Sequence, residues 1–476
     1  MTLSENSHSG GVASERQTIA DLIIRSEVAM SIFSGADQSR VDEAVTAIAW
    51  AIYEPTRSRK LAEIAVEDTG LGNVDSKVLK NSRKTFGCLR DLLRVRSVGI
   101  IDESPEKGIV RYAKPVGVVG AVTPSTNPSA TPVNKAMFAI KGRNAVIIAP
   151  SPAGYRTTAT TVNYIRSELE KIGLPADLVQ VLPAPVTKTL TEELMKAVDL
   201  VVVTGSQNNV RRAYASGTPA IGVGAGNVPV VIDQTADIQG AADKICASKI
   251  FDNATSCSSE NAVVILDEIY DEMMQALVVA GGYLCNSRQK ELVRKALWTD
   301  GRLNRHVIAK DIDVLTKLCG IVDAKDDTKF LIVEESDVDA ESKFADEKLS
   351  LVLTAYRPKD FDEAVDQVKA ILNVCGKGHS IGIHTNEMTH ADRLASEVDV
   401  VRVLVNQAHT FGNGGGFDNG LNFTLTMGGG SWAGNSIAEN LNYTHFINIT
   451  HLVRTIPEDR PKEEELFGGY WHKYGR

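Results

Sequence analysis

The sequence predicts an α/β fold built on a doubly wound parallel sheet, followed by a second α/β unit. Three observations carry that expectation. Short apolar strand-like runs alternate with amphipathic helix-length segments from Pro115 to Ile232, a pattern that demands parallel strands joined by right-handed crossovers. A long helical segment then leads into the polar run Phe251-Asp252-Asn253-Ala254-Thr255-Ser256-Cys257-Ser258-Ser259-Glu260. Beyond it a second alternation extends from Ala262 to about Gly430.

Residues 35–69 carry the helical period. The period is interrupted near Pro55, which lacks an amide donor, and stops at Gly70, which accepts a left-handed cap. From Val98 to Tyr112 apolar positions alternate around Glu103-Ser104-Pro105-Glu106-Lys107-Gly108, as in a hairpin that protrudes to meet another subunit. Val116, Val118, Val119 and Val122 mark a buried strand, with Gly117 and Gly120 allowing close backbone approach. There follow a helix over Pro132–Ile140, the strand Ala145–Ile148, a helix over Thr157–Ile172 and the strand Leu178–Leu182. Next come a helix over Leu190–Val198, the strand Leu200–Thr204, a helix over Val210–Ala215 and the strands Ala220–Val223 and Val228–Ile232, which close the series. A helix over Asp237–Phe251 precedes the polar run, and Ala262–Leu266 is strand-like. The tail from Phe446 is strand-like, then highly charged, and suits addition to a neighbour's sheet. Sheets of the first kind bind nucleotides at the carboxyl ends of their strands.

With 476 residues the chain has room for two or three domains and a large core. A formal net charge of −9 argues against nucleic acid or an acidic membrane as partner. No apolar run reaches the roughly 18–20 residues a spanning helix needs. The first 17 residues are mostly polar with no apolar signal core, so a cytoplasmic protein is expected, with that head a flexible tail or a docking peptide. Six cysteines without CxxC pairs imply reduced thiols. Nine histidines include no HExxH and no zinc-ligand set, so no metal is expected.

Cys257 stands out. A lone cysteine is often a buried structural residue, but Thr255, Ser256, Ser258 and Ser259 around it suit a partly exposed thiolate. Eight segments in one order give this cysteine a setting: PVGVVGAVTPSTNP (115–128), KGRNAVIIAPSP (141–152), TGSQNNV (204–210), PAIGVGAGNVPVVID (219–233), FDNATSCSSE (251–260), DEKLS (346–350), GKGHSIGIHT (376–385) and GGGSWAGNS (428–436). In combination they resemble the aldehyde dehydrogenase superfamily, and within it the CoA-acylating branch, from about Thr18 to Arg454.

The resemblance implies a nicotinamide-dinucleotide domain over 18–97 and 116–226, a catalytic domain over 227–445, and an oligomerisation ribbon and C-terminal strand over 98–115 and 446–470. It makes Cys257 the nucleophile that adds to the aldehyde, and Asn127, with the Cys257 backbone N–H, the holder of the resulting alkoxide. Hydride transfer to the nicotinamide then leaves a thioester. Where hydrolytic members carry a water-activating glutamate, Val223 stands beside Gly224. Such a base contributes typically ~10²–10⁴-fold, so the acyl group is expected to pass to the thiol of coenzyme A. His379 matches a branch histidine that assists the acceptor thiol, or else serves the local backbone. A hydrolytic enzyme drawing its base from Glu260 is the alternative.

By the same likeness, Glu347 holds the nicotinamide ribose and Thr204, Gly205 and Ser206 lie beneath the pyrophosphate. Thr123 and Pro124 flank the cofactor, and Ala149 and Ser151 occupy the adenosine-ribose region. Pro152 replaces a glutamate that would repel a 2′-phosphate, so NADP is expected as readily as NAD, with Arg156 offered to the phosphate. Thr126, Thr255, Ser256, Ser258 and His409 give the substrate pocket a polar lining. That lining favours a short polar aldehyde, sulfoacetaldehyde first, over acetaldehyde or propionaldehyde. No arginine in the sequence is visibly committed to a sulfonate. A homodimer or homotetramer is implied.

Overall fold

The structure, a computed structural model, describes residues 4–338 and 343–476. Helices Ser4–Phe33, Gln38–Tyr53, Pro55–Thr69 and Val74–Leu93 open the chain. The period over 35–69 is two helices: Asp37 caps the first by accepting from the Arg40 amide, and Gly70 ends the second with φ 64°. The polar head, expected as a flexible tail or a docking peptide, is helical from Ser4; residues 1–3 lie outside the described residues. Helix Val74–Leu93 escaped the sequence reading. Its lysines and arginines hide the apolar period, because one face of it packs against the site instead of the core.

Strands Val179–Val181, Ala145–Pro150, Val118–Thr123, Leu200–Thr204 and Ala220–Val223 form a five-stranded sheet in that spatial order, parallel throughout. Strand Val118–Thr123 lies between Ala145–Pro150 and Leu200–Thr204, so the direction of winding reverses there. A crevice opens outside the carboxyl ends at such a point. Val119, Ala121, Val146 and Ile148 pack against helices 38–53, 130–141 and 155–171 on one face. Val118, Val122, Ile147 and Val203 pack with Ile19, Leu190 and Leu194 on the other.

Strand Val228–Ile232 does not close this series. It pairs with Glu260–Ile265 and Ile381–His384 inside a second parallel sheet of seven strands. The cause is local. Asn227 donates to the carbonyls of Ala345 and Cys375 and accepts from Asn261, all parts of the second unit. Glu260–Ile265 lies in the middle of that sheet, so the polar run ending at Glu260 enters the centre of the molecule.

Strands Gly99–Ser104 and Ile109–Pro115 form the expected hairpin. The C-terminal strand Ile447–Val453 pairs antiparallel with Ile109–Pro115 of its own chain, where the sequence suggested a neighbour's sheet. Among the described residues no helix is long and apolar enough to cross a membrane. Nor, among them, does any group of three or more His, Cys, Asp or Glu side chains gather in a metal-binding arrangement.

Candidate active site

Helix Ile238–Ile250 delivers the chain to a turn in which Asp252, Asn253 and Ala254 have φ of 50°, 54° and 59°. Three successive L-residues in the left-handed region are costly and need outside support. Asp252 supplies most of it. Its carboxylate accepts from the Asn73 amide (3.0 Å), Lys77 Nζ (3.1 Å), Lys80 Nζ (2.5 Å) and Thr255 Oγ1 (2.7 Å). Burial opposes its charge, but Lys80 and Lys77 hold the carboxyl below its usual range. Asn253 donates to the Ala309 carbonyl and to Asp311 at 2.7 Å.

So held, Cys257 reaches the wall of a cavity of about 680 Å³. Asn127, Thr126, Thr255, Ser256, Ser258 and Glu347 share that wall. Asn127 Oδ1 accepts from Lys80 Nζ at 2.8 Å, which occupies the acceptor end of the amide, while its NH2 donates at 3.4 Å to Thr126 Oγ1 and keeps a second hydrogen for the cavity. The Cys257 Sγ lies 3.5 Å from His379 Nε2, and His379 Nδ1 lies 2.8 Å from Ser380 Oγ. Gly226 makes this contact possible. A Cβ there would come within 2.7 Å of the Cys257 carbonyl and 2.9 Å of His379 Nε2.

The charge state differs from the thiolate the sequence suggested. Burial, then Glu347, push the Cys257 thiol up to about 12, since a thiolate loses more solvation than the neighbouring hydroxyls return. Burial, with Arg402 and His409 close by, drives His379 well below its ordinary value, so the ring is neutral. Arg402 is buried, and its guanidinium donates to Asn413, Asn440 and the carbonyls of His379 and Gly428. Its positive charge favours the Cys257 thiolate once that forms. Burial raises Glu347 to about 8 even though the Gly226 amide donates to it.

The far part of the cavity is walled by Thr123, Pro124, Ala149, Ser151, Thr204, Gly205, Ser206 and Gly224, at the carboxyl ends of the five-stranded sheet. Ser206 caps helix Gln207–Ala215, and Gly205 leads into that helix with φ 154°. Lys84, Lys188, Arg212 and Arg305 line the cavity against one carboxylate, Glu347. Helix amides and four cations fit the pyrophosphate of a dinucleotide and a second anionic ligand.

Several expected residues stand elsewhere. Arg156 is bound to Glu67 (2.7 Å) and Asp68 (2.8 Å) and is absent from the cavity wall, because the helix it opens faces helix Pro55–Thr69. Lys188 lines the cavity. His409 turns inward, its Nδ1 2.9 Å from the Ser258 carbonyl, and Thr410 takes the wall position. His379 sits behind Cys257. The Val223 side chain is buried, and its carbonyl accepts from the Gly205 amide at 3.2 Å. Glu260, raised to about 7 by burial, accepts from the His409 amide and does not line the cavity. Lys80, Lys84, Asp252 and Arg402 were missed. The spacing of Lys77, Lys80 and Lys84, which puts three cations on one helix face, was the available signal.

A family model described as the aldehyde dehydrogenase family matches residues 13–284. The chain is 49% identical to a sulfoacetaldehyde dehydrogenase (acylating) of Cupriavidus necator, covering 97% of this chain and 94% of that protein. It is 42% identical to the sulfoacetaldehyde dehydrogenase (acylating) of Bilophila wadsworthia, over 97% of this chain and 100% of that one. In structure it is similar to an acetylating aldehyde dehydrogenase from Geobacillus thermoglucosidasius, with a TM-score of 0.91, 34% identity and coverage of 95% and 99%. With Cys257 and Asn127 on one wall and the fold, the eight segments and the relatives in agreement, the chain belongs to the aldehyde dehydrogenase family.

Proposed function

We propose that the protein is a CoA-acylating aldehyde dehydrogenase that converts sulfoacetaldehyde to sulfoacetyl-CoA with NAD or NADP. One observation carries the acylating chemistry: of the described residues lining the Cys257 cavity, Glu347 alone is a carboxylate, and valine stands at 223. The relatives named above support the aldehyde.

Cys257 Sγ adds to the carbonyl carbon and its proton leaves to solvent through the cavity, because burial and Arg402 keep His379, 3.5 Å away, too weak a base to hold it. The new alkoxide meets the Asn127 NH2 and the Cys257 amide. Thr123, Thr204 and Glu347 would hold a nicotinamide, which when bound would supply the hydride acceptor needed to turn this adduct into a thioester. The thioester carbon is then attacked by the CoA thiolate, and the Cys257 thiolate leaves. Water competes poorly, since among the described residues Glu347 is the one carboxylate lining the cavity and burial, raising it to about 8, keeps it mostly protonated near neutrality. Lys188, in place of Arg156, is the cation suited to a 2′-phosphate. The ribbon and the strand Ile447–Val453 suit a cytoplasmic homodimer or homotetramer.

The test is turnover with and without CoA. Without CoA, sulfoacetaldehyde should yield about one equivalent of reduced nicotinamide per Cys257 and then stall, and CoA should restart it. Sustained CoA-free turnover overturns the acylating reading. CoA-dependent turnover of acetaldehyde or propionaldehyde, with none of sulfoacetaldehyde, keeps the chemistry and overturns the aldehyde.

A further inference from the structure

We propose that Lys84 receives the anionic group of the substrate and so sets a preference for a negatively charged short aldehyde over a neutral one. This rests on the cavity being the aldehyde site.

Three cations project from neighbouring turns of helix Val74–Leu93, and their surroundings differ. Lys80 is neutralised by Asp252. Arg83 lies against the rings of Phe411, Phe417 and Phe423, with 5.1 Å to the centroid of Phe417. Lys84 has no carboxylate partner and a single ring contact. Its Nζ donates to the Gly414 carbonyl at 2.7 Å and stands 5.4 Å from the Phe423 ring centroid. Among the described residues no carboxylate lies within 4.0 Å of it. An ammonium in a partly closed space, with like charges beside it and no counter-ion, costs free energy. A small anion reverses the sign of that cost.

The surroundings also fit an anion placed near the nucleophile. Lys84 and Cys257 line one cavity. Gly414 separates Lys84 from Met427: a Cβ there would lie 2.8 Å from Lys84 Nζ and 3.1 Å from Met427 Sδ. Met427 Sδ is in turn 4.0 Å from Ser258 Oγ, beside Cys257. Thr410 lines the same cavity, is only 7% exposed, and its Oγ1 has no hydrogen-bond partner. A buried hydroxyl without a partner is uncommon and is accounted for when a ligand supplies one. Two N–H donors remain on Lys84 and suit two oxygens of a sulfonate. Lys188 and Arg212 belong to segments beside the cofactor wall, and Arg212 is paired with Glu192 at 3.3 Å. Burial with Arg83 and Lys80 nearby depresses Lys84 to about 7, so its charge is disfavoured in the cavity and a bound anion would restore it.

The experiment compares the wild type, Lys84→Met and Lys84→Arg on sulfoacetaldehyde and propionaldehyde with CoA present. In Lys84→Met the ratio of the two kcat/KM values should fall about 10- to 100-fold, the worth of one charge-assisted hydrogen bond. The loss should be carried by the KM for sulfoacetaldehyde, and Lys84→Arg should recover part of it. An unchanged ratio overturns the proposal, even with sulfoacetaldehyde turned over normally by the wild type. If the wild type does not use sulfoacetaldehyde, or a variant fails to fold, ethanesulfonate is tested as a competitor of propionaldehyde in the wild type, and in Lys84→Met where that folds. Competition in the wild type, weakened in any folded Lys84→Met, supports the anion site although the proposed substrate fails. No competition in the wild type overturns it.

Discussion

Lys80 Nζ is 2.8 Å from Asn127 Oδ1, and the same ammonium is 2.5 Å from Asp252. One cation thus aims the amide that faces the new alkoxide and also secures the turn that carries the nucleophile. Lys80→Met should lower kcat by about 10²–10³, as when one oxyanion donor is lost, with a smaller change in KM. A merely structural role would predict additivity with Asn127→Ala. The expected result is that the double variant is little worse than either single one, read as a double-mutant cycle on kcat.

The protonated state of Cys257 has a kinetic signature. With the thiol pushed up to about 12, the thiolate fraction grows roughly tenfold per pH unit throughout the neutral range. Inactivation of the free enzyme by iodoacetamide should therefore accelerate continuously from pH 7 to pH 9.5. A plateau near neutrality would show that the thiolate is already formed without substrate.

Gly226 leaves no room for even one methyl group. Its Cβ would meet the Cys257 carbonyl at 2.7 Å, Cys257 Cβ at 2.9 Å and His379 Nε2 at 2.9 Å. Gly226→Ala should cut kcat by about 10²-fold or more through displacement of the nucleophile. Gly217→Ala would be strained by its own φ of 86°, whereas exposed Gly35→Ala meets nothing within 4 Å and is the neutral control for activity.

Cofactor choice should follow Lys188. Arg156 is spent on Glu67 and Asp68, so Arg156→Ala is expected to leave the ratio of KM for NADP to KM for NAD unchanged. Lys188→Ala should raise KM for NADP several-fold against NAD if a 2′-phosphate is bound there. Steady-state kinetics with both nucleotides reads this directly.

The strand–helix alternation from Val118 to Val223 was legible because each strand is buried on both faces and the period is unbroken. The same holds for the cysteine and Asn127, whose flanking segments are local in sequence. What escaped depends on distance along the chain. By pattern strand Val228–Ile232 looks like its predecessors, although the resemblance implied a boundary after residue 226; its pairing with Glu260–Ile265 and Ile381–His384 and the contacts of Asn227 with Ala345 and Cys375 put it in the other sheet. Arg156 looked available because Glu67 and Asp68 lie nearly ninety residues away. Helix Val74–Leu93 was not legible because its lysines and arginines obscure the apolar period, and a charged stretch is commonly a solvated one. The altered charge state of Cys257 arises from burial, which no local residue pattern reports.

Asp252 also links two parts of the fold that a chain of this size would otherwise be free to lose separately. Its lysine partners come from the N-terminal helical region, and it precedes the central strand of the seven-stranded sheet. Parting them would strand a carboxylate and two ammonium groups, and breaking a buried pair of this kind costs about 3–5 kcal/mol. The ion cluster thereby couples the melting of both halves, so heat should denature the protein as one cooperative unit and leave no folded fragment that binds nucleotide but lacks its nucleophile.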